Sequence, residues 1–304
     1  MAISRAQLVK ELEPGLNALF GLEYKRYENQ HAEIYTTESS DRAFEEEVML
    51  SGFANANVKV EGSGVAYDEA QETYTARYTH DTLALAFSIT EEAIEDNLYD
   101  RLASRYTKAL ARSMSNAKQV KAVTPLIDGL PSTDGYDSGD GVSLFNTSHT
   151  TVSGTAVKNT LTTQADLNET SLEQAMIDIA SMTDERGLRV AARGIKAIVP
   201  SANQFNAERL MKSQGRTGTA DNDINAINSM GMIPQGYRVN HFLYDSDSWY
   251  IITDVPNGMK MFSRTPLTTS MEGDFDTGNV RYKARERYAF GASDYRGIFG
   301  VEGA

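Results

Sequence analysis

The residues of this 304-residue chain whose types could carry chemistry are four histidines, a few carboxylate-rich turns and one short row of cations. His31, His80, His149 and His241 lie in four different segments, and none has a histidine four residues away or a His-Glu-x-x-His frame, so no helical zinc site is encoded. His149 closes the run Leu144-Phe145-Asn146-Thr147-Ser148-His149, where Ser148 could serve as nucleophile and the imidazole as base. The same residue types also make a turn held by hydrogen bonds between side chains and backbone, and the turn is expected. Asp134, Asp137 and Asp140 are spaced by three rather than two, with no glutamate at the bidentate position of a calcium loop. Asp274-Phe275-Asp276-Thr277-Gly278-Asn279 is nearer to such a loop but lacks its second half, and is expected to turn a hairpin. Gly62-Ser63-Gly64 has neither the third glycine nor the following helix that would present amides to a pyrophosphate, and reads as a turn. No catalytic, cofactor-binding or metal-binding residue is expected.

The cations are Arg281, Lys283, Arg285 and Arg287. At the two-residue period of a strand they share one face, while Tyr282, Ala284, Tyr288 and Phe290 supply the remainder. Four like charges in a row call for acidic partners: the chain's own carboxylates first, then the acidic surface of a neighbouring chain, then nucleic acid.

The composition narrows the classes. Lys and Arg number 29 against 42 Asp and Glu, a formal charge of -13 that opposes general attraction to phosphate backbones. No apolar run approaches the length of a membrane span or a signal peptide, so the chain is expected to be cytosolic when made. It contains no cysteine, which excludes disulfides, thiolate metal sites and a cysteine nucleophile. With 40% hydrophobic and 23% charged residues it is a folded protein, expected to divide into two packed subregions.

Several elements would position these residues. Ser4 and Gln7 stand at capping-box spacing before a short helix that Pro14-Gly15 is expected to interrupt. Strand chemistry runs from Val58 to Ile89: Val58 and Val60, the glycine break, Val65 and Tyr67, then Tyr74, Ala76 and Tyr78, read as one long hairpin. Such a ribbon is marginally stable alone and needs another surface to lie on. Thr90 is placed to cap a helix, with Glu91 and Glu92 in its first turn and Ile89 and Ile94 at staple spacing. Ile94, Leu98, Leu102, Tyr106, Leu110, Met114 and Ala117 continue it, with no Gly or Pro before Pro125, predicting a helix of about 30 residues and about 45 Å. The Gly- and Asp-rich stretch from Asp134 to Gly141 reads as a surface loop. Thr170 and Glu173 make a second capping box, for a helix stopping at Gly187. Ile195 to Val199 reads as a buried strand, and Pro200-Ser201 starts a helix with Phe205, Leu210 and Met211. Tyr237 to Tyr244 and Trp249 to Thr253 flank a hairpin signal at Asp245-Ser246-Asp247-Ser248. After the Pro256-Asn257-Gly258 turn come strands at Met259 to Ser263 and Val280 to Phe290.

In this order of elements the chain resembles the Hong Kong 97-type fold of tailed-bacteriophage major capsid proteins. Ser51-Gly52-Phe53, Glu61-Gly62 with Tyr67-Asp68, and the run from Phe87 through Asn97 to Tyr99 look like the passage from extended loop to spine helix. Leu144 to His149 followed by Asn159, and later Ser248-Trp249-Tyr250, look like the Mu-type major head subunit branch. The resemblance spans nearly the whole chain. It implies an α+β fold with an N-terminal arm (1–45), an extended β-hairpin loop (46–89), a peripheral domain with a long spine helix (90–189), an α/β axial domain (190–256) and closing peripheral strands (257–304).

The implied function is structural and not enzymatic: a major capsid protein that self-assembles as pentamers and hexamers into an icosahedral shell around a double-stranded DNA genome. Assembly would take place in the bacterial host cytoplasm, and the product would be the virion. The implied partners are other copies and a portal, with a decoration protein left open; since no long scaffolding segment precedes the arm, a separate scaffolding protein or a longer precursor is implied. Packaged DNA would be contacted non-specifically, and no membrane is involved. Val58, Val60, Val65, Tyr67, Tyr74 and Tyr78, with the row Arg281, Lys283, Arg285 and Arg287, are the expected inter-subunit contacts. Lys59 and Lys283 are of the type that cross-links in the prototype, but no motif fixes them and no isopeptide bond is expected. An encapsulin-like compartment subunit is the alternative.

Overall fold

The computed structural model describes residues 5–90, 92, 99–133, 135–216, 223–274 and 277–304. Two four-stranded sheets organise these residues. In the first, of order β1-β10-β11-β4, two long strands β10 (Met259–Gly273) and β11 (Val280–Ala292) form an antiparallel pair. β4 (Asp81–Ile89) lies antiparallel to β11, and β1 (Thr36–Ser39) parallel to β10. β11 alternates as its sequence demands: Val280, Tyr282, Ala284, Glu286 and Tyr288 are buried, whereas Arg281, Lys283 and Arg285 are exposed. The β10–β11 turn is the expected one, closed by Asp274 N–H donating to the Asn279 carbonyl at 2.8 Å.

Two helices cover the buried face. α1 (Arg5–Arg26) runs without interruption through Pro14, contrary to the expected break. A proline in a helix interior costs about 3 kcal/mol through its missing N–H and ring clash. Burial of Leu16 and Phe20, in one cluster with Leu110, Met114 and Tyr282, offsets that cost. α2 (Tyr99–Asp128) is 30 residues long and also passes through its proline, Pro125. It stops at Gly129, where a Cβ would lie 2.7 Å from that of Leu144. The cap at Thr90 and the staple through Ile94 cannot be followed, because Glu91 and 93–98 lie outside the described residues. The buried stripe of α2 contains Ala103, Thr107, Leu110, Ala111 and Met114, while Tyr106 faces outward.

The second sheet has the order β12-β9-β7-β8. β7 (Gly194–Pro200) is parallel to β8 (Tyr237–Asn240) and antiparallel to β9 (Trp249–Thr253). β8 and β9 therefore do not form the expected hairpin. β7 lies between them, and the parallel β7–β8 connection is a crossover containing α4 (Gln204–Lys212). The fourth strand, β12 (Ile298–Val301), comes from the C-terminal segment and pairs with β9, so the sheet does not end at residue 256. β12 enters through a close backbone approach: a Cβ on Gly297 would fall 2.2 Å from the Gly258 Cα. α3 (Glu169–Ser181) begins two residues earlier than expected, with a box made by Asn168 and Ser171 instead of Thr170 and Glu173, and ends well before Gly187. The largest cluster joins this sheet to the last turns of α2, through Trp249, Tyr250, Ile251, Leu126 and Leu130.

A two-stranded ribbon, β2 (Phe44–Leu50) with β3 (Glu72–Thr79), pairs with neither sheet and packs on the first. A short hairpin of β5 (His149–Thr150) and β6 (Ala156–Val157) completes the sheets.

Candidate assembly surfaces

The four histidines do not converge. His31 is buried; its Nδ1 is 3.0 Å from Gln119 Nε2, and its backbone N–H donates to Gln119 Oε1. Burial, with Lys118 nearby, pushes its pKa down to about 4. His80 Nε2 is 2.9 Å from Ser40 Oγ, whose hydroxyl donates to Glu45. Burial, followed by Arg287, lowers the His80 pKa. His241 Nδ1 is 2.7 Å from Gln30 Nε2 at the surface.

His149 is fully buried and stacked on Tyr295 at 3.8 Å, with both ring nitrogens engaged. Asp140 Oδ2 lies 2.6 Å from Nδ1, and Asn159 Oδ1 lies 3.1 Å from Nε2. Ser148 is exposed and takes part through its backbone, donating to Asn146 Oδ1 at 2.9 Å. A histidine so enclosed cannot take a proton from Ser148 during attack on a substrate, so the run is a structural turn. Asp140 is likewise part of this packing and not of a free loop, while Asp134 lies outside the described residues. Among the described residues no group of three or more His, Asp or Glu is placed to hold a metal ion.

Next to Tyr295, Arg296 is 3% exposed. It reaches Glu185 at 2.6 Å, Asp294 at 3.2 Å and the Thr183 carbonyl at 2.8 Å. Burial alone would lower its pKa, but Asp294, Tyr295 and Glu185 outweigh burial and raise it, so the guanidinium stays charged. This cluster holds the second sheet to the loops around it.

The exposed surfaces are of a different kind. The inner face of the ribbon is anchored: Tyr78 is buried against Phe262 and Ala289, and its hydroxyl is 2.5 Å from Ser293 Oγ. Tyr74 packs beside Tyr295 and against Gly139. Tyr78 thus spends its surface within the chain, while Tyr74 is half-buried. The outer face carries Phe44, Val48 and Leu50, all exposed, with Arg77 over the Phe44 ring at 4.2 Å. Beyond Leu50 and before Glu72 there is no strand pairing, so the expected strands at Val58–Val60 and Val65–Tyr67 are absent. Only the turn at Gly62 is formed, where φ is +81°. Val58 and Tyr67 are 94% and 98% exposed, and Phe53, Val60 and Val65 are also open to solvent. Sequence reading missed Phe44, Val48 and Leu50. Their period-two alternation with Glu45 and Glu47 was the available signal, hidden by the acidic run.

The tip is tethered at its base. Asp68 accepts backbone hydrogen bonds from Ala54 and Glu69, which hold its carboxyl below the usual range, and Arg186 donates to the Glu69 carbonyl at 2.5 Å.

The second surface is the face of the first sheet opposite α1 and α2. Arg281, Lys283 and Arg285 project from it, with Arg287 half-buried. Arg281 pairs with Asp274. Among the described residues Lys283 and Arg285 have no ion-pair partner, and Arg287 Nε is buried without a hydrogen bond. Self-pairing, the first expectation for this row, is therefore met only at Arg281. The cross-strand neighbours of this row are Ser88, Ala86, Ala84 and Thr82 on β4, and Glu272, Ser270 and Thr268 on β10, so Arg281 stands opposite a glutamate while Lys283 and Arg285 stand opposite small side chains.

The sequence profile of a family described as phage capsid protein matches residues 72–301. No protein of curated function matches the sequence. Solved structures share the fold. The virus-like particle subunit from Pyrococcus furiosus superposes with a TM-score of 0.53 at 10% identity, over 94% of this chain and 98% of that one. The capsid subunit of an empty GTA particle gives 0.57 at 12% identity, over 90% and 89%. The procapsid subunit of bacteriophage JBD30 gives 0.52 at 14% identity, over 99% and 77%.

Proposed function

Since this chain belongs to the phage capsid protein family, we propose that it is the major capsid subunit of a tailed bacteriophage, built on the Hong Kong 97-type fold and close to the Mu-type head subunits. In this reading the ribbon and its tip are the extended loop, α2 is the spine helix, and the sheet containing β7, β8, β9 and β12 is the axial domain. Copies associate head to tail into pentamers and hexamers, because a tip that lies on a different patch of the next copy repeats until the rotation closes a ring. The rings build an icosahedral shell around double-stranded DNA, in the host cytoplasm, with a portal and a separate scaffolding protein.

The observation that carries the proposal is the contrast within the ribbon. Its root is fixed in the core by Tyr74 and Tyr78, whereas Val58 and Tyr67 at its tip are 94% and 98% exposed. Exposed apolar residues clustered on a projecting limb mark an interaction site, and a solitary ribbon of this kind gains stability when it lies on another surface. The Pyrococcus furiosus particle shares the fold, so a compartment that encloses cargo is the second reading; the family match favours the phage capsid.

Size-exclusion chromatography with light scattering, followed by negative-stain microscopy of any large fraction, tests the proposal. Shells tens of nanometres across, or isolated pentamers and hexamers, are expected from the purified chain alone or with its scaffolding protein. A 33.4 kDa monomer under both conditions would contradict the proposal.

A further inference from the structure

The chain passes between its two sheets at two places that touch each other. One passage runs from β9 to β10 through Pro256, Asn257 and Gly258, and the other from β11 to β12 through Ser293 and Gly297. A Cβ on Gly258 would stand 2.7 Å from the Gly297 Cα, and the Ser293 N–H donates to the Gly258 carbonyl at 2.9 Å. At this crossing the sequence carries its single Asn-Gly pair.

In an Asn-Gly pair the backbone nitrogen reaches the asparagine side chain most readily, because glycine has no Cβ to screen its amide. Several features leave Asn257 free to react. It is exposed, in a turn, with φ at +60°, a region that asparagine tolerates. It precedes the first ladder pair of β10, Met259 with Ala292, so no strand pairing holds its backbone. Among the described residues its side chain has no hydrogen-bond partner. With Glu47, Lys260 and Ser293 it lines a pocket of 260 Å³, which has room for water.

We propose that Asn257 is a self-modification site, where the Gly258 amide nitrogen attacks the asparagine side-chain carbonyl carbon and expels ammonia. The bond formed joins Gly258 N to Asn257 Cγ, and the bond broken is Cγ–Nδ2; the Gly258 amide proton leaves with the amine. Water then opens the cyclic imide. Cleavage between Gly258 N and Cγ gives aspartate with the backbone restored. Cleavage between Gly258 N and the Asn257 backbone carbonyl carbon gives isoaspartate, whose backbone runs through Cγ and is longer by a methylene. Aspartate only adds a carboxylate to the pocket of Lys260. Isoaspartate lengthens the chain where Gly258 already lies against Gly297, so it pushes the two passages apart and loosens the seating of β12 on β9. The join between the sheets thus weakens as the protein ages, whether or not the chain builds shells.

The test is ageing of the intact chain at pH 8.5 and 37 °C. Peptide mapping by mass spectrometry counts the amides lost at each asparagine, and an isoaspartate-specific methyltransferase counts isoaspartate. Asn257 is expected to lose its amide at least about tenfold faster than any other asparagine, a barrier lower by about 1.4 kcal/mol, and to yield both products. Ageing at pH 6 should be slower, because base removes the Gly258 amide proton. The aged parent should melt below the fresh parent. An Asn257→Gly chain, which accepts the positive φ and has no side-chain amide, should keep its melting temperature through the same ageing. A fresh Asn257→Asp chain should melt close to the fresh parent, which assigns the loss to backbone lengthening and not to charge. Amide loss spread evenly over the asparagines, an Asn257→Gly chain that ages like the parent, or a fresh Asn257→Asp chain that melts as low as the aged parent would overturn the proposal.

Discussion

The second sheet and the ribbon solve opposite problems. Around the second sheet the buried arginine, histidine and tryptophan are matched inside the chain. Arg296 meets Glu185 and Asp294, His149 meets Asp140 and Asn159, and Trp249 Nε1–H donates to the Ala165 carbonyl at 3.1 Å. In the ribbon and the open sheet face the matching stops halfway. Valines and a tyrosine stand in solvent, and two cations have no partner among the described residues. The first region is finished as a monomer and the second is not, so substitutions in the first should be read in stability and substitutions in the second in association.

The sharpest test on the finished side is Arg296→Ala. It leaves Glu185 and Asp294 buried without their cation, which costs about 3–5 kcal/mol. A drop in melting temperature large enough to leave part of the chain unfolded at 37 °C is expected, and an unchanged melting curve would show that the cluster does not hold the sheet.

His31 gives the next effect, through pH. Its folded pKa of about 4 lies below the unfolded value of about 6.5, so between these values the unfolded chain binds a proton that the native chain refuses. Stability is therefore full above about pH 6.5 and is lost as pH falls toward 4, by on the order of 3 kcal/mol at the limit. Denaturant titrations at pH 7 and pH 4.5 should show this loss, and His31→Gln should flatten it.

Asn168→Ala removes the cap of α3 and should cost about 1 kcal/mol, read as a small shift in the denaturation midpoint. At the far end of the scale, Val58→Ser with Tyr67→Ser should change protomer stability by less than about 0.5 kcal/mol and still reduce assembly. A stability loss as large as that of Arg296→Ala would erase the distinction between the two regions.

Much of this division could be read in the sequence, and the misreadings have physical causes. The alternation of β11 and the long period of α2 were legible because each is a local pattern repeated over many residues. Pro14 misled because a proline weakens a helix locally, while Leu16 and Phe20 restore it through contacts with Tyr282, which is remote in sequence. β8 and β9 look like a hairpin across Asp245-Ser246-Asp247-Ser248, and only the position of β7 shows otherwise. The capping box of α3 was placed at Thr170 and Glu173 because Asn168 and Ser171 satisfy the same geometry with different residue types. Of the assembly surfaces, the row on β11 and the tip valines were legible as types. That Tyr74 and Tyr78 turn inward while Phe44, Val48 and Leu50 turn outward depends on which strand pairs with β3, and in the chain that strand is β2.

The central claim is that the ribbon tip is a limb for association and contributes nothing to the fold of its own chain. Deleting residues 55–67, which keeps Asp68, Ala54 and both ribbon strands, tests it directly by light scattering on size-exclusion fractions beside the intact chain. A folded protein that melts like the parent but forms no closed shells is the predicted result. Shells of normal size and yield from the deleted chain would contradict the account.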